Sequence, residues 1–176
     1  MEPLEIFRGS RLVGRALPAK KQRPGDVALP SDPAAQAKDA GLVFIGRIRT
    51  PWKSEEGCPK NLIQARERGG GASVEVDEPW RTCLTGLDRH VHLMVLYWMD
   101  RARRDLVMQH PPHKEQPVGT FALRSPARPN PVAVATVRLL ALDQAAGVLT
   151  IDAIDCIDGT PLIDLKPWMA TIDAAG

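Results

Sequence analysis

Three cysteines, Cys58, Cys83 and Cys156, are all that the 176 residues contain, and no two stand at Cys-x-x-Cys spacing. An odd, scattered set of thiols suggests neither a disulfide framework nor a zinc site, so no metal is expected. No apolar run approaches the roughly 18 residues of a membrane span. The strongest, VHLMVLYWM, has nine and ends against charge. The N-terminus shows no signal-peptide pattern. No Gly-x-Gly-x-x-Gly or Walker loop occurs, and the triplet Gly69 to Gly71 lacks helix-opening spacing after a strand, which argues against a Rossmann site. An excess of one charge sign is also missing. Lys and Arg number 23 against 21 Asp and Glu, a net of +2. Residues 1–40 hold seven of the basic and five of the acidic residues, so the remainder balances at 16 each (23 − 7 and 21 − 5). A nucleic-acid partner would then have to meet a local patch or a dimer rather than a global field. These absences predict a reduced, cytoplasmic, soluble protein.

What is present suits one domain with a real core: 44% hydrophobic and 25% charged residues. Sixteen prolines and fourteen glycines, many at predicted turns, favour short strands over long helices. Residues 1–40 read as an N-terminal extension, with five prolines, the basic run Lys20-Lys21-Gln22-Arg23 and an Ala/Asp/Pro-rich tract. A flexible arm or strap, anchored weakly by Ile6, Leu12 and Leu17, is one reading, and an RNA-binding arm the other.

Residues 41–176 read as the folded domain. Leu42 to Arg49 reads as its first strand. A polar loop follows, then a charged stretch and the glycine triplet, together predicting a mobile loop over 62–72. Ala72 to Val76 is a short strand, and Pro79 to Leu87 one or two helical turns. His90 to Trp98 predicts a central strand buried on both faces. His92, at its start, is either a packed or capping residue or a ligand. The cluster Asp100-Arg101-Ala102-Arg103-Arg104 is either a solvated loop or a phosphate-contacting patch. Val148 to Asp155 alternates, and Asp158-Gly159 marks a tight turn. Regular short strands predict an all-β fold: a small closed or nearly closed β-barrel with short helical connections.

The most unusual stretch is Val118 to Leu142, read as strand, stiff corner, strand. In its centre, Arg124-Ser125-Pro126-Ala127-Arg128-Pro129-Asn130-Pro131, three prolines fix φ and remove backbone donors. The expectation is a hydrogen-bond-poor bend whose carbonyls, Asn130 amide and two guanidiniums are free for a partner. An ordinary stiff turn is the alternative.

Four blocks, GRIRTPWKSEEGCPKN, GLDRHVHLMVLYWMD, FALRSPARPNPVAVATVRLL and IDCIDGTPLIDLKPWM, occur in this order over about residues 42–171. The chain resembles the TrmO/TsaA-like (YaeB-like) proteins in these blocks. The resemblance implies a β-barrel that binds S-adenosylmethionine, usually as a homodimer. Its best-described members methylate N6 of a threonylcarbamoyl-adenosine beside the anticodon of a tRNA. A SAM-binding module, or a methyltransferase for a small molecule, is the alternative.

Residue by residue, the resemblance places Pro59, Lys60, Asn61, Arg124, Val134, Asp158, Gly159, Thr160 and Pro161 at the cofactor; His92, in its reading as a ligand, is grouped with them. Asp100 and Arg101 join them, although the family often has His-Gln there. The loop at Asp158 would offer consecutive backbone groups, with Gly159 allowing close approach. Arg128, Asn130 and Trp168 are candidates for the acceptor side, as stackers or polar contacts. Asp164 is a candidate proton acceptor and Lys166 an electrostatic contact; a structural ion pair is the alternative for both. Better-described members continue into a helical domain, whereas this chain ends eight residues after Trp168. Cofactor binding is therefore the first expectation and the tRNA substrate the second.

Overall fold

Alternating apolar side chains dictate strands with one buried face, and His92 to Trp98 shows how far this holds. In the computed structural model, which describes residues 23–30 and 41–174, Leu93, Val95 and Tyr97 are buried while Met94, Leu96 and Trp98 are half-buried. The strand is covered fully on one face only, because an antiparallel sheet that curls back on itself has an inside and an outside. The strands are β1 (Val27–Ala28), β2 (Gly46–Arg49), β3 (Ala72–Val76), β4 (His92–Trp98), β5 (Leu106–Gln109), β6 (Val118–Gly119), β7 (Val132–Asp143), β8 (Val148–Ile151) and β9 (Pro161–Pro167). Two helices, α1 (Leu62–Arg68) and α2 (Ala170–Asp173), and 3-10 turns at Glu78–Leu84, Leu87–Arg89 and Thr120–Ala122 connect them. The mostly β expectation holds.

Six strands pair in the cyclic order β2-β3-β8-β7-β4-β9, and the ladder returns from β9 to β2. Its interior is filled by Ile48, Val74, Leu93, Val95, Val137, Leu149, Ile151 and Leu162. β7 serves two neighbours in succession. Val132 to Arg138 pair with β4, and Leu139 to Asp143 pair with β8 after a register shift between Leu139 and Ala141. At the seam between β2 and β3, Gly46 lies opposite Val76, and a Cβ there would overlap the Glu75 carbonyl oxygen.

β1, β5 and β6 form a separate three-stranded sheet. Residues 23–30, read above as part of the extension, thus dock on the domain. Asp26 accepts from the His110 backbone N–H (2.8 Å), and Leu29 donates to the Asp105 carbonyl (2.8 Å). The suggested anchors Ile6, Leu12 and Leu17, and Lys20, Lys21 and Gln22, lie outside the described residues.

Three expectations fail. Residues 62–68 are helical rather than a mobile loop. Asn61 caps α1, its side chain accepting from the Gln64 N–H (2.9 Å), while Gln64 in turn accepts from the Lys60 N–H (3.0 Å). The triple glycine is the stop signal, with φ positive at Gly69, Gly70 and Gly71. The first core strand begins at Gly46 rather than Leu42. Before the proline corner, the incoming strand is two residues long, and a 3-10 turn follows it.

The corner is also far from hydrogen-bond-poor. Arg128 donates through Nη1 to the carbonyls of Leu123 (3.2 Å) and Ser125 (3.4 Å). Arg104, stacked over Trp98 at 5.3 Å, donates to the carbonyl of Pro129 (2.6 Å) and to Asn130 Oδ1 (3.3 Å). Buried Gln109 donates to the Ala127 carbonyl (2.7 Å) and to Thr120 Oγ1 (3.0 Å), and Thr120 passes its own proton to the Leu106 carbonyl (2.8 Å). Prolines removed donors from the chain, so side chains satisfy its acceptors.

Two stability outcomes are expected. Gln109→Leu keeps the volume but strands the buried Ala127 carbonyl, and urea unfolding should show a loss of about 1–3 kcal/mol. Gly46→Ala should cost about 3 kcal/mol or more, because backbone rather than a mobile side chain must yield. A wild-type urea midpoint for either variant would contradict the corresponding contact.

Candidate functional site

Register fixes which residues share an end of the closed sheet. Trp98 pairs with Val132, and Tyr97 with both Ala133 and Leu162. The end of β4, the start of β7 and the start of β9 therefore meet, and the proline corner, Asp100-Arg101 and the loop 158–160 gather there. Loop 50–61 packs onto the same end. Thr50 donates through Oγ1 to the Cys156 carbonyl (3.0 Å), and Trp52 Nε1 donates to the Ile154 carbonyl (3.1 Å). These contacts bring Pro59, which is buried, and the exposed Lys60 and Asn61 to the end loops.

The loop at Asp158 is built differently from the expectation. The N–H groups of Asp158, Gly159 and Thr160 donate to the carbonyls of Trp52 (2.7 Å), Ile48 (2.8 Å) and Ile157 (3.2 Å). Asp158 accepts from the Thr50 N–H (3.1 Å) and pairs with Lys53 at 2.9 Å, which holds its carboxyl below the usual range. The loop's consecutive amides are thus consumed in holding the loop. What it leaves open is space: a Cβ at Gly159, where φ is +82°, would meet nothing within 4 Å.

The open backbone lies on β7. In an antiparallel strand the N–H and C=O of one residue face the same side. Val134 and Thr136 turn theirs away from β4, and β8 does not reach that far. Arg124 donates through Nη2 to the Val134 carbonyl (3.1 Å), and Arg66 from α1 donates through Nη2 to the Thr136 carbonyl (3.2 Å) while its Nε pairs with Asp152 (2.7 Å). The N–H groups of Val134 and Thr136 have no partner among the described residues. An exposed strip of sheet edge, with Val134 43% exposed, is therefore bounded by two guanidiniums. Arg124 is brought here from a loop beyond the 3-10 turn rather than from a strand end.

A second feature sits inside the same end. Tyr97, only 4% exposed, donates its hydroxyl to Asp155 Oδ1 at 3.2 Å. Burial, with the Asp155 charge second, pushes the Cys58 thiol up to about 11 and raises Tyr97 well above its ordinary value. Burial likewise holds Cys156 protonated.

Other candidates lie elsewhere. His92 and Trp168 meet edge-to-face at 6.0 Å, and the Trp168 N–H donates to the His92 carbonyl (3.0 Å). They stand at the opposite end of β4, about 20 Å from Trp98 at roughly 3.3 Å per residue, so neither joins the cofactor blocks within this chain. Trp168 and Arg128 likewise cannot stack on one base, and Arg128 is committed to the corner. Asp164 and Lys166 pair at 2.9 Å on β9, opposite Leu96 and Met94. Asp164 borders an apolar pocket of about 190 Å³ with Ile45, Trp80, Leu84 and Leu87, which none of the residues assigned to the cofactor lines. Among the described residues no group of three His, Cys, Asp or Glu side chains is placed to hold a metal ion, and no helix is long and apolar enough to cross a membrane. Sequence reasoning passed over Arg66, Tyr97 and Asp155, and read Arg104 as part of a solvated or phosphate-contacting cluster, whereas it braces the proline corner. The Asn-x-x-Gln cap was the available signal for α1 and hence Arg66; nothing local marked Tyr97.

Comparison with known proteins gives these features a context. The tRNA-methyltransferase O N-terminal domain matches residues 47–174. A probable S-adenosyl-L-methionine-binding protein, VirR, of Rhizobium radiobacter is 39% identical over 142 residues, which cover 80% of this chain and 75% of that protein. The tRNA (adenine(37)-N6)-methyltransferase of Escherichia coli K12 is 28% identical over 131 residues, 71% of this chain and 56% of the enzyme. The crystal structure of TrmO from P. aeruginosa superposes with a TM-score of 0.62 at 28% identity, covering 78% of this chain and 58% of that one. The chain thus spans a little over half the length of these two methyltransferases. The match over residues 47–174 takes in both the arginine-proline corner and the Asp158 loop, and on it the chain belongs to the tRNA-methyltransferase O N-terminal domain family.

Proposed function

We propose that this protein is an S-adenosylmethionine-dependent methyltransferase that modifies N6 of an adenosine beside the anticodon of tRNA, with a threonylcarbamoyl-adenosine as the preferred acceptor. The observation that carries the reading is the strip of β7 edge between Arg124 and Arg66. It lies where the family's cofactor arginine and apolar wall, Arg124 and Val134, touch. The donor set fits the cofactor. Unpaired N–H groups at Val134 and Thr136 suit an adenine edge, guanidiniums suit a carboxylate, and the open face of Gly159 suits close approach of a ligand.

Bound S-adenosylmethionine supplies a methyl group already activated by a positive sulfur, so the chain's main task is alignment. Arg124, Val134, Lys60 and Asn61 would bind and orient, while the cross-braced loop at Asp158 to Pro161 sets the wall. Asp100 and Arg101, expected at the cofactor, are exposed at the mouth and are assigned here to the acceptor instead, with the corner at Asn130 beside them. Asp164 and Lys166 pair with one another away from this mouth, so the proton from N6 is assigned to water rather than to them. A tRNA acceptor would place the protein in the cytoplasm.

A second reading has a specific observation in its favour. VirR and an Archaeoglobus fulgidus relative that is 40% identical over 132 residues carry names that specify S-adenosylmethionine binding and no reaction. A binding module would keep the same cofactor residues.

Labelled methyl groups should pass from S-adenosylmethionine into bulk tRNA, and tRNA lacking threonylcarbamoylation should accept at least about tenfold less. Tight cofactor binding with no transfer to either tRNA would favour the module. Phe121, Val132, Val134 and Leu140 are exposed at 82%, 41%, 43% and 54%, apolar side chains that a homodimer would cover. Sedimentation should give twice the chain mass of 19.2 kDa; the single mass throughout the micromolar range would refute pairing.

A further inference from the structure

The half-buried carboxylates of the closed sheet and its end loops are compensated with one exception. Glu75 pairs with Arg49 and Asp152 with Arg66, each at 2.7 Å, and Asp158 with Lys53 and Asp164 with Lys166, each at 2.9 Å. Asp155 is half-buried too, and its one partner among the described residues is the neutral hydroxyl of Tyr97. Removing a carboxylate from water without a counter-charge is costly. Among the described residues no cation pairs with it, and the Tyr97 hydroxyl is its one hydrogen-bond donor. Cys58, Tyr97 and Cys156, the titratable groups that feel its charge, stay protonated and neutral. Arg68, the cation that acts on Cys58, is occupied: it donates to the Gly57 carbonyl (3.0 Å) and lies over the Trp52 ring at 6.0 Å.

The position of this charge is fixed. Tyr97 is anchored in β4 by its pairings with Ala133 and Leu162. Asp155 stands three residues before Asp158 and within electrostatic range of Cys58, which precedes Pro59. Its chain neighbours Ile154 and Cys156 accept from Trp52 and Thr50, so Asp155 lies beside both loop blocks assigned above to the cofactor. A fixed, uncompensated negative charge inside a binding site selects for a cationic ligand atom.

We infer that Asp155 is the counter-charge for the positive sulfur of S-adenosylmethionine, and that Tyr97 is the positioning residue that aims it. The assignment rests on the cofactor reading of the preceding section. It adds a discrimination the cofactor blocks do not supply. S-adenosylhomocysteine, the product left after the methyl departs, has the same adenine, ribose and amino-acid end but a neutral thioether. Asp155 attracts the first and is indifferent to the second, so the site weakens its hold on the spent cofactor once transfer is complete.

Calorimetric titration of both ligands separates this from a structural role. Asp155→Asn keeps the size and an acceptor for Tyr97 while deleting the charge. It should weaken S-adenosylmethionine by roughly tenfold or more, the scale of one charge contact in a partly wet site, and S-adenosylhomocysteine by less than about threefold. Tyr97→Phe keeps the charge but frees its carrier, and should narrow the ratio of the two affinities without abolishing it. Equal losses for both ligands in Asp155→Asn, or no loss for either, overturn the assignment while leaving the cofactor reading in place. Wild-type protein that binds neither ligand overturns both. Should Asp155→Asn fail to fold, Asp155→Ser carries the same comparison; failure of both to fold would make Asp155 a structural residue and end the proposal.

Discussion

A single strand with two consecutive partners governs this architecture. β7 has twelve residues, more than either β4 or β8 can pair along its length. Its first half is spent on β4 and its second on β8, with a register shift where the allegiance changes. Each half therefore has one side that no strand covers. Bare sheet edge invites association with other chains and is usually blunted. Here the carbonyls of Val134 and Thr136 are taken by guanidiniums of Arg124 and Arg66, arriving from a loop and a helix that are far apart in sequence. The same two contacts that protect the edge define the borders of the candidate site. The site follows from how the ladder closes.

Around that strip the loops are braced before any ligand arrives. The corner's carbonyls are claimed by Arg104, Gln109 and Arg128, and the amides of the Asp158 loop by the backbone of β2, its exit and the loop's own Ile157. Such internal satisfaction has a cost in versatility, since these groups cannot also bind the cofactor directly. It gives rigidity in return, and alignment to within a fraction of an ångström is what methyl transfer from an activated donor demands.

How much of this was legible in the sequence differs from element to element. β3 occupies the predicted Ala72 to Val76, because a short alternating run between turn formers admits little else. The turn at Gly159 was equally plain. α1 was hidden because charges and a glycine triplet resemble a loop by composition, although Asn61 and Gln64 spelled a helix start. The placement of Arg124 was misjudged for a tertiary reason: Thr120 buries its hydroxyl against β5, which bends the chain into a 3-10 turn where extension was expected. Grouping His92 and Trp168 with the other candidates failed on register alone, since motif order carries no information about which end of a strand a residue occupies. The blocks that mark the family were all readable. Which of their polar groups are already spoken for was not, because hydrogen-bond partners lie in distant segments.

The seam between β2 and β9 joins residues from near the start and the end of the ring, Gly46 beside Leu162. Contacts so distant in sequence form late, since a long loop must be closed before they repay it. During synthesis β2 emerges more than a hundred residues before its outer partner exists, as the positions 46 and 162 show. The nascent chain must therefore carry that edge unpaired while most of the protein is still being made. Assembly of this small ring is for that reason governed by the arrival of its last strand, and a ribosome stalled just before Pro161 would hold an open sheet that lacks both pairings of β9, to β4 and to β2.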